Sequence, residues 1–147
     1  MPVTDDVVAA MRAYLSGDRE QFQRRNEGLS QTPGGRKAFR ALLTAAFIGA
    51  VESRFGEAAE RSEIIDFVAE LRSRDEQIAE RLAPDVIERM IAAVFEDDVE
   101  TGDIDASTSI GVQMGVLAMY ISERQPDSAA LEEFLDESRK FANEILS

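Results

Sequence analysis

The chain has 147 residues, 44% hydrophobic and 31% charged, which is the size and balance of one folded domain and not of a disordered tail. It contains no cysteine and no histidine, which removes disulfides, thiol nucleophiles, the imidazole triads and dyads and most zinc sites. Its net charge of -13 is unevenly placed: residues 1–50 carry seven basic and five acidic side chains, residues 51–147 nine and 24.

Such acidity repels phosphate backbones and argues against nucleic acid as a partner, whereas a basic protein is its natural complement. The absence of cysteine fits a reducing cytoplasm. Asp5 and Asp6 stand where a secretory signal carries basic residues, so no export segment is expected. The longest uncharged stretch, residues 106–122, holds four Ser and Thr and one amide, too polar and too short to span a membrane.

Along the chain, Val7, Val8, Met11, Tyr14 and Leu15 recur at helical spacing and predict a helix over residues 5–16, ended by Gly17. Asp18 with Gln21 three residues on forms a capping pattern for a short helix with only Phe22 and Leu29 to bury. Thr32 followed by Pro33 reads as a cap and first helical position. Residues 38–51 then run AFRALLTAAFIGAV with Arg40 their only charge, a core helix expected to stop near Gly56.

Ser62 is the expected cap of the next helix, with Ile64, Ile65, Val68 and Leu71 as its stripe; residues 75–82 either continue it or form a short helix of their own. Pro84 sets a boundary at Ala83 and opens a helix with Val86, Ile87, Met90, Ile91, Val94 and Phe95 on one face. A loop follows around Gly102, then an almost uncharged helix beginning at Ser107 or Ser109. After Gln125 and Pro126 the last helix runs from Asp127 to about Leu146, with Ala130, Leu131, Phe134, Leu135, Phe141, Ala142 and Ile145 as its stripe.

No alternating run or internal repeat supports a strand. The pattern predicts an all-α protein, a single-domain irregular (orthogonal) bundle over 1–147 with five strong helices and one or two short ones, centred on residues 38–51 and 109–121. The expected core is Phe39, Leu42, Leu43, Phe47, Val51, Val68, Leu71, Ile91, Val94, Leu117, Leu131, Phe134 and Phe141.

Three stretches invite a chemical reading. Glu96, Asp97, Asp98, Glu100, Asp103 and Asp105 crowd one loop, but Val99 and Thr108 fall at positions 3 and 12, where a calcium loop needs ligands. Calcium is therefore expected to bind weakly at best, and the cluster is read as an acidic partner-binding patch or a solvated loop. Gly34, Gly35, Arg36 and Lys37 at a helix start could take an anion, although the Walker spacing is missing and the glycines serve a turn equally well. Gly111 and Gly115 allow a close helix crossing, inside the bundle or against another molecule.

Carboxylates on a shared helix face, such as Glu57 with Glu60 or Glu132 with Asp136, are ordinary in an acidic helical chain, and a di-iron bundle would need the histidines that are missing. No cofactor, metal or catalytic residue is indicated. The function this sequence suggests is a non-enzymatic regulatory or adaptor module that binds proteins through an acidic surface. The rival is a small-ligand or lipid-binding bundle with weak enzymatic activity, marked by an elongated apolar cavity, and a third reading is imitation of DNA charge. Two nearly uncharged helices exceed what a domain of this size conceals, so a homodimer is expected.

Overall fold

The computed structural model describes residues 2–56 and 59–147. Among them every regular element is a helix: α1 Asp5–Leu15, α2 Arg19–Ser30, α3 Gly35–Phe55, α4 Arg61–Arg74, α5 Glu76–Arg81, α6 Pro84–Phe95, α7 Ala106–Arg124 and α8 Ser128–Leu146. The all-α bundle is as expected, but the helices number eight, not six or seven. Asp75 explains part of the difference. Its carboxylate accepts from the amides of Gln77 and Ile78 at 3.0 and 3.1 Å, which caps a fresh helix and separates α5 from α4.

Residue contacts gather the chain into two units, one of residues 1–46 with 121–147 and one of residues 47–120. The division passes through α3 and α7, the helices that hold the two nearly uncharged stretches.

In the first unit α1 packs against α2 and α8. Its inner face is Val7, Val8, Ala10, Met11 and Ala13, with Tyr14 and Leu15 half-buried. Gly17 closes α1 at φ +78, and the Asp18 carboxylate accepts from the Gln21 amide at 3.1 Å to start α2, which is a full three-turn helix. Tyr14, Phe22 and Phe39 stack in tilted succession, with centroids 5.2 and 6.1 Å apart.

The segment before α1 is tied down by α8. The Val3 amide donates to Asn143 Oδ1 at 2.7 Å, Arg139 Nε donates to the Val3 carbonyl at 3.0 Å, and Arg139 also pairs with Asp5 at 2.8 Å. Val3 itself is buried. Arg12 adds a two-pronged bond to Glu132 at 2.6 and 2.7 Å. Along α8 the buried residues are Leu135, Ser138 and Ala142; Leu131, Phe134 and Phe141, expected in the core, are half-buried, and Ile145 is exposed.

The second unit is built on Phe47, Val51 and Phe55 of α3, Ile64, Phe67, Val68 and Leu71 of α4, Ile87, Met90 and Ile91 of α6, and Val112, Val116 and Met119 of α7. Three details depart from expectation. Ile65 faces outward at 41% exposure and Phe67 takes its place inside, where its ring meets Phe55 edge-on at 5.4 Å beneath the Arg54 guanidinium. The cap of α4 is Glu60, two residues before Ser62, and Val94 is half-buried. The expected break at residues 56–61 begins at Gly56, φ +77; Glu57 and Ala58 lie outside the described residues.

Gly111 and Gly115 do mark a close internal crossing. A Cβ on Gly115 would stand 2.6 Å from Ile78 Cδ1, and one on Gly111 3.8 Å from Leu82 Cδ1, so α5 lies over the glycine face of α7. Tyr120 further along α7 donates its hydroxyl proton to Ser53 Oγ at 2.9 Å.

Candidate functional site

The acidic loop and the helix before it come together in the second unit. Pro84 at the first position and the face Ile87, Met90, Ile91 fix α6 against α4, which leaves Asp85, Glu88, Arg89, Ala92, Phe95 and Glu96 along the outer side at three- and four-residue intervals. These residues, with Val99 beyond the helix and Ala59, Arg61 and Ile64 opposite, line an open cleft of about 330 Å3. Its floor is apolar: Ile64 is buried, and Ala92, Phe95 and Val99 are half-buried.

Arg89 anchors the loop to this helix. Its Nη1 and Nη2 donate to the two Asp103 carboxylate oxygens at 3.0 and 3.1 Å, and Nη1 also donates to the Glu100 carbonyl at 3.2 Å. That fork holds the Asp103 carboxyl below its ordinary range, chiefly by hydrogen bonding, and raises Arg89 in return. Asp105 has a separate task. Its carboxylate accepts from the Thr108 amide at 2.7 Å and so caps α7, and this backbone bond lowers its pKa. The helix thus begins at Ala106, earlier than Ser107 or Ser109.

Of the six loop acids, two therefore serve the fold, while Glu96, Asp97, Asp98 and Glu100 lie exposed, Glu96 on the lining of the cleft. Among the described residues no three acidic side chains converge as a metal site would require. Of the carboxylates paired in the sequence reading, two can be placed. Glu132 is bound by Arg12, which lowers its pKa; Glu60 precedes α4, and Glu57 lies outside the described residues.

The start of α3 lies at Gly35, two residues after the Pro33 start expected from the sequence. Thr32 does not cap α3: its hydroxyl donates to the Gly28 carbonyl at 3.0 Å at the end of α2. Pro33 and Gly34, with Gly34 at φ +75 and the Gly35 amide donating to the Thr32 carbonyl at 3.0 Å, make a type II turn. The Gly35 amide is thereby used, and a Cβ on Gly35 would meet the Leu29 carbonyl oxygen at 2.5 Å. Gly35 is a packing glycine, and Arg36 and Lys37 are exposed beyond it. The nearby cleft of about 240 Å3 is lined by Asp6, Arg25, Gly28, Leu29 and Thr32, without Arg36 or Lys37.

No helix among the described residues is long and apolar enough to cross a membrane. The chain matches no protein-family model, no curated protein and no solved structure. The cleft itself was not legible in the sequence, because Ile64 and Phe95 are 31 positions apart; the outward recurrence of Glu88, Ala92, Phe95 and Val99 was the available sign.

Proposed function

We propose that the protein is a non-enzymatic interaction module, regulatory or adaptor in kind, that binds a basic segment of a protein partner through its acidic unit. The observation that carries this reading is the distribution of charge: residues 47–120 contain 17 acidic side chains against six basic ones, the rest of the chain 12 against ten. Four carboxylates of the loop after α6 remain exposed where a cation could reach them, since their two neighbours are spent on Arg89 and α7. A field of one sign attracts a partner of the other over roughly a Debye length, about 8 Å in physiological salt.

The direct test is fluorescence anisotropy of a labelled lysine- and arginine-rich peptide titrated with the full chain at low and raised salt. Saturable binding that weakens as salt rises is expected, and the combined variant Glu96→Lys, Asp97→Lys, Asp98→Lys, Glu100→Lys should abolish it. Absence of binding at low salt, or binding that the variant retains, removes the reading. The rival ligand-binding reading draws less support from the α4–α6 cleft, which is open and lined by five charged residues.

We propose in addition that two copies associate along α8. Leu131, Phe141 and Ile145 share one side of that helix, with Leu131 and Phe141 half-buried and Ile145 45% exposed, an incompletely covered seam. The support for a contact through α7 is weaker, since α5 occupies its glycine face. Light scattering over a range of ionic strength should show a dimer that strengthens with salt, as copies of charge -13 are screened from one another; a monomer at every salt concentration would exclude it.

A further inference from the structure

We infer that the cleft along α6 is the docking groove for the partner, and that its occupant is a basic protein segment carrying one large apolar side chain. The inference rests on the interaction-module reading and adds the place, the anchor and a division of labour between groove and loop.

The groove has the form of a peptide site and not of an enclosed ligand cavity. It follows a single helix from Asp85 to Glu96, about 16 Å at 1.5 Å per residue, and continues to Val99. Its volume of about 330 Å3 is open along that length. The floor of Ile64, Ala92, Phe95 and Val99 offers a partner's Leu, Ile, Met or Phe a surface to bury against. Full burial of such a side chain contributes about 1.5–3 kcal/mol, roughly a ten- to hundredfold gain in affinity.

The walls decide what flanks that anchor. Asp85, Glu88 and Glu96 stand on the α6 bank, and Asp103 closes on Arg89, so four carboxylates face two guanidiniums, Arg61 and Arg89. Because Arg89 grips both Asp103 and the Glu100 carbonyl, the exposed acids of the loop are held beside the groove. An acidic segment would be repelled there and a purely apolar one would leave the rim carboxylates without partners. Lysine or arginine beside one large apolar residue fits both tiers: the loop steers and the groove retains.

The test uses two labelled synthetic peptides of equal length and charge, rich in Lys and Arg, one with a single central Phe and the other with Ala at that position. Anisotropy titrations with the full chain should show the Phe peptide binding at least about tenfold more tightly. Ala92→Phe, which fills the groove without altering charge, should erase that advantage and leave the weaker, salt-sensitive binding of the Ala peptide. Val99→Ser should reduce it as well and serves if Ala92→Phe does not fold, as judged by circular dichroism. Equal affinity of the two peptides for the unaltered chain, or an advantage that survives whichever variants fold, would overturn the groove while the charge-based reading stands. Failure of both peptides to bind at low salt would overturn both.

Discussion

The two units of this chain use charge in opposite ways. In residues 1–46 with 121–147 acids and bases nearly balance, and they join remote parts of the sequence: Arg12 reaches Glu132, and Arg139 reaches Asp5 and the Val3 carbonyl. In residues 47–120 acids outnumber bases almost threefold, and the pairs Arg89 with Asp103 and Arg74 with Glu70 close short distances in sequence, as Arg24 with Glu20 does in the first unit. One unit uses its charges as fastenings; the other holds an unmatched excess on its surface. Self-repulsion of that excess disfavours a compact state, so the apolar cluster around Phe47, Phe67 and Ile91 has to outweigh it.

The largest expected effects probe the cores on either side of the division. Leu42→Ala in the first unit should cost about 2–5 kcal/mol and Phe47→Ala in the second about 3–5 kcal/mol, because both side chains are enclosed. Urea unfolding followed by circular dichroism measures each. Since both residues lie on the uninterrupted helix α3, one transition is expected in both variants; two separate transitions would show that the units lose structure independently.

A glycine pair on the same helix gives an intermediate effect of opposite signs. Gly35→Ala would press a methyl group against the Leu29 backbone and should destabilise by about 1–3 kcal/mol. Gly49→Ala meets nothing within 4 Å and removes chain entropy from the unfolded state, so it should stabilise by about 0.4–1 kcal/mol. Thermal melts of the two variants decide the matter, and a loss at Gly49 as large as that at Gly35 would discredit the packing assigned to the turn.

The smallest effect concerns the fastenings themselves. Bonding to Arg12 lowers Glu132 below its ordinary value of 4.5. The folded state then gains from an ionised Glu132; that gain is complete above the ordinary value and is lost as pH falls through the lowered one. Arg12 and Glu132 are 42% and 46% exposed, so solvent screening limits the pair to about 0.2–1 kcal/mol. Glu132→Gln should therefore flatten the acid limb of the stability curve by no more than that, measured by denaturation between neutral pH and the carboxylate range. An unchanged acid limb would mean that this pair does not act as a fastening.

Local chemistry is what the sequence disclosed. Gly17, Gly56, the Asp18 cap, Pro84 and the Gly111 and Gly115 crossing each depend on a few neighbouring residues, and each stands where the pattern placed it. The misreadings come from competition between equally local motifs. Thr32-Pro33 resembles a helix start, but Pro33-Gly34 is also a type II turn, and Gly35 beneath Leu29 admits only the second. In α4 the apolar Ile64-Ile65 pair hid which of two faces is inner, and the aromatic contact between Phe67 and Phe55 settles it. The site was less legible than the fold. That Asp103 belongs to Arg89, and that Ala59, Arg61 and Ile64 form the far bank of a groove, follows from how α4 and α6 meet, which no spacing within either helix encodes.

The tie between Val3 and α8 bears on the order in which the chain can assemble. The amide and carbonyl of Val3 are satisfied by Asn143 and Arg139, some 140 positions away, and Arg12 waits for Glu132 across 120. During synthesis the residues of the second unit emerge in one continuous run, whereas the first unit stays without α8 until that entire run has been made. Closing so long a loop comes at an entropic cost that only the finished contact offsets. The side of α1 that meets α8 thus waits longest for its cover in the nascent chain, a stretch on which a chaperone could act and where slow elongation would do the most harm.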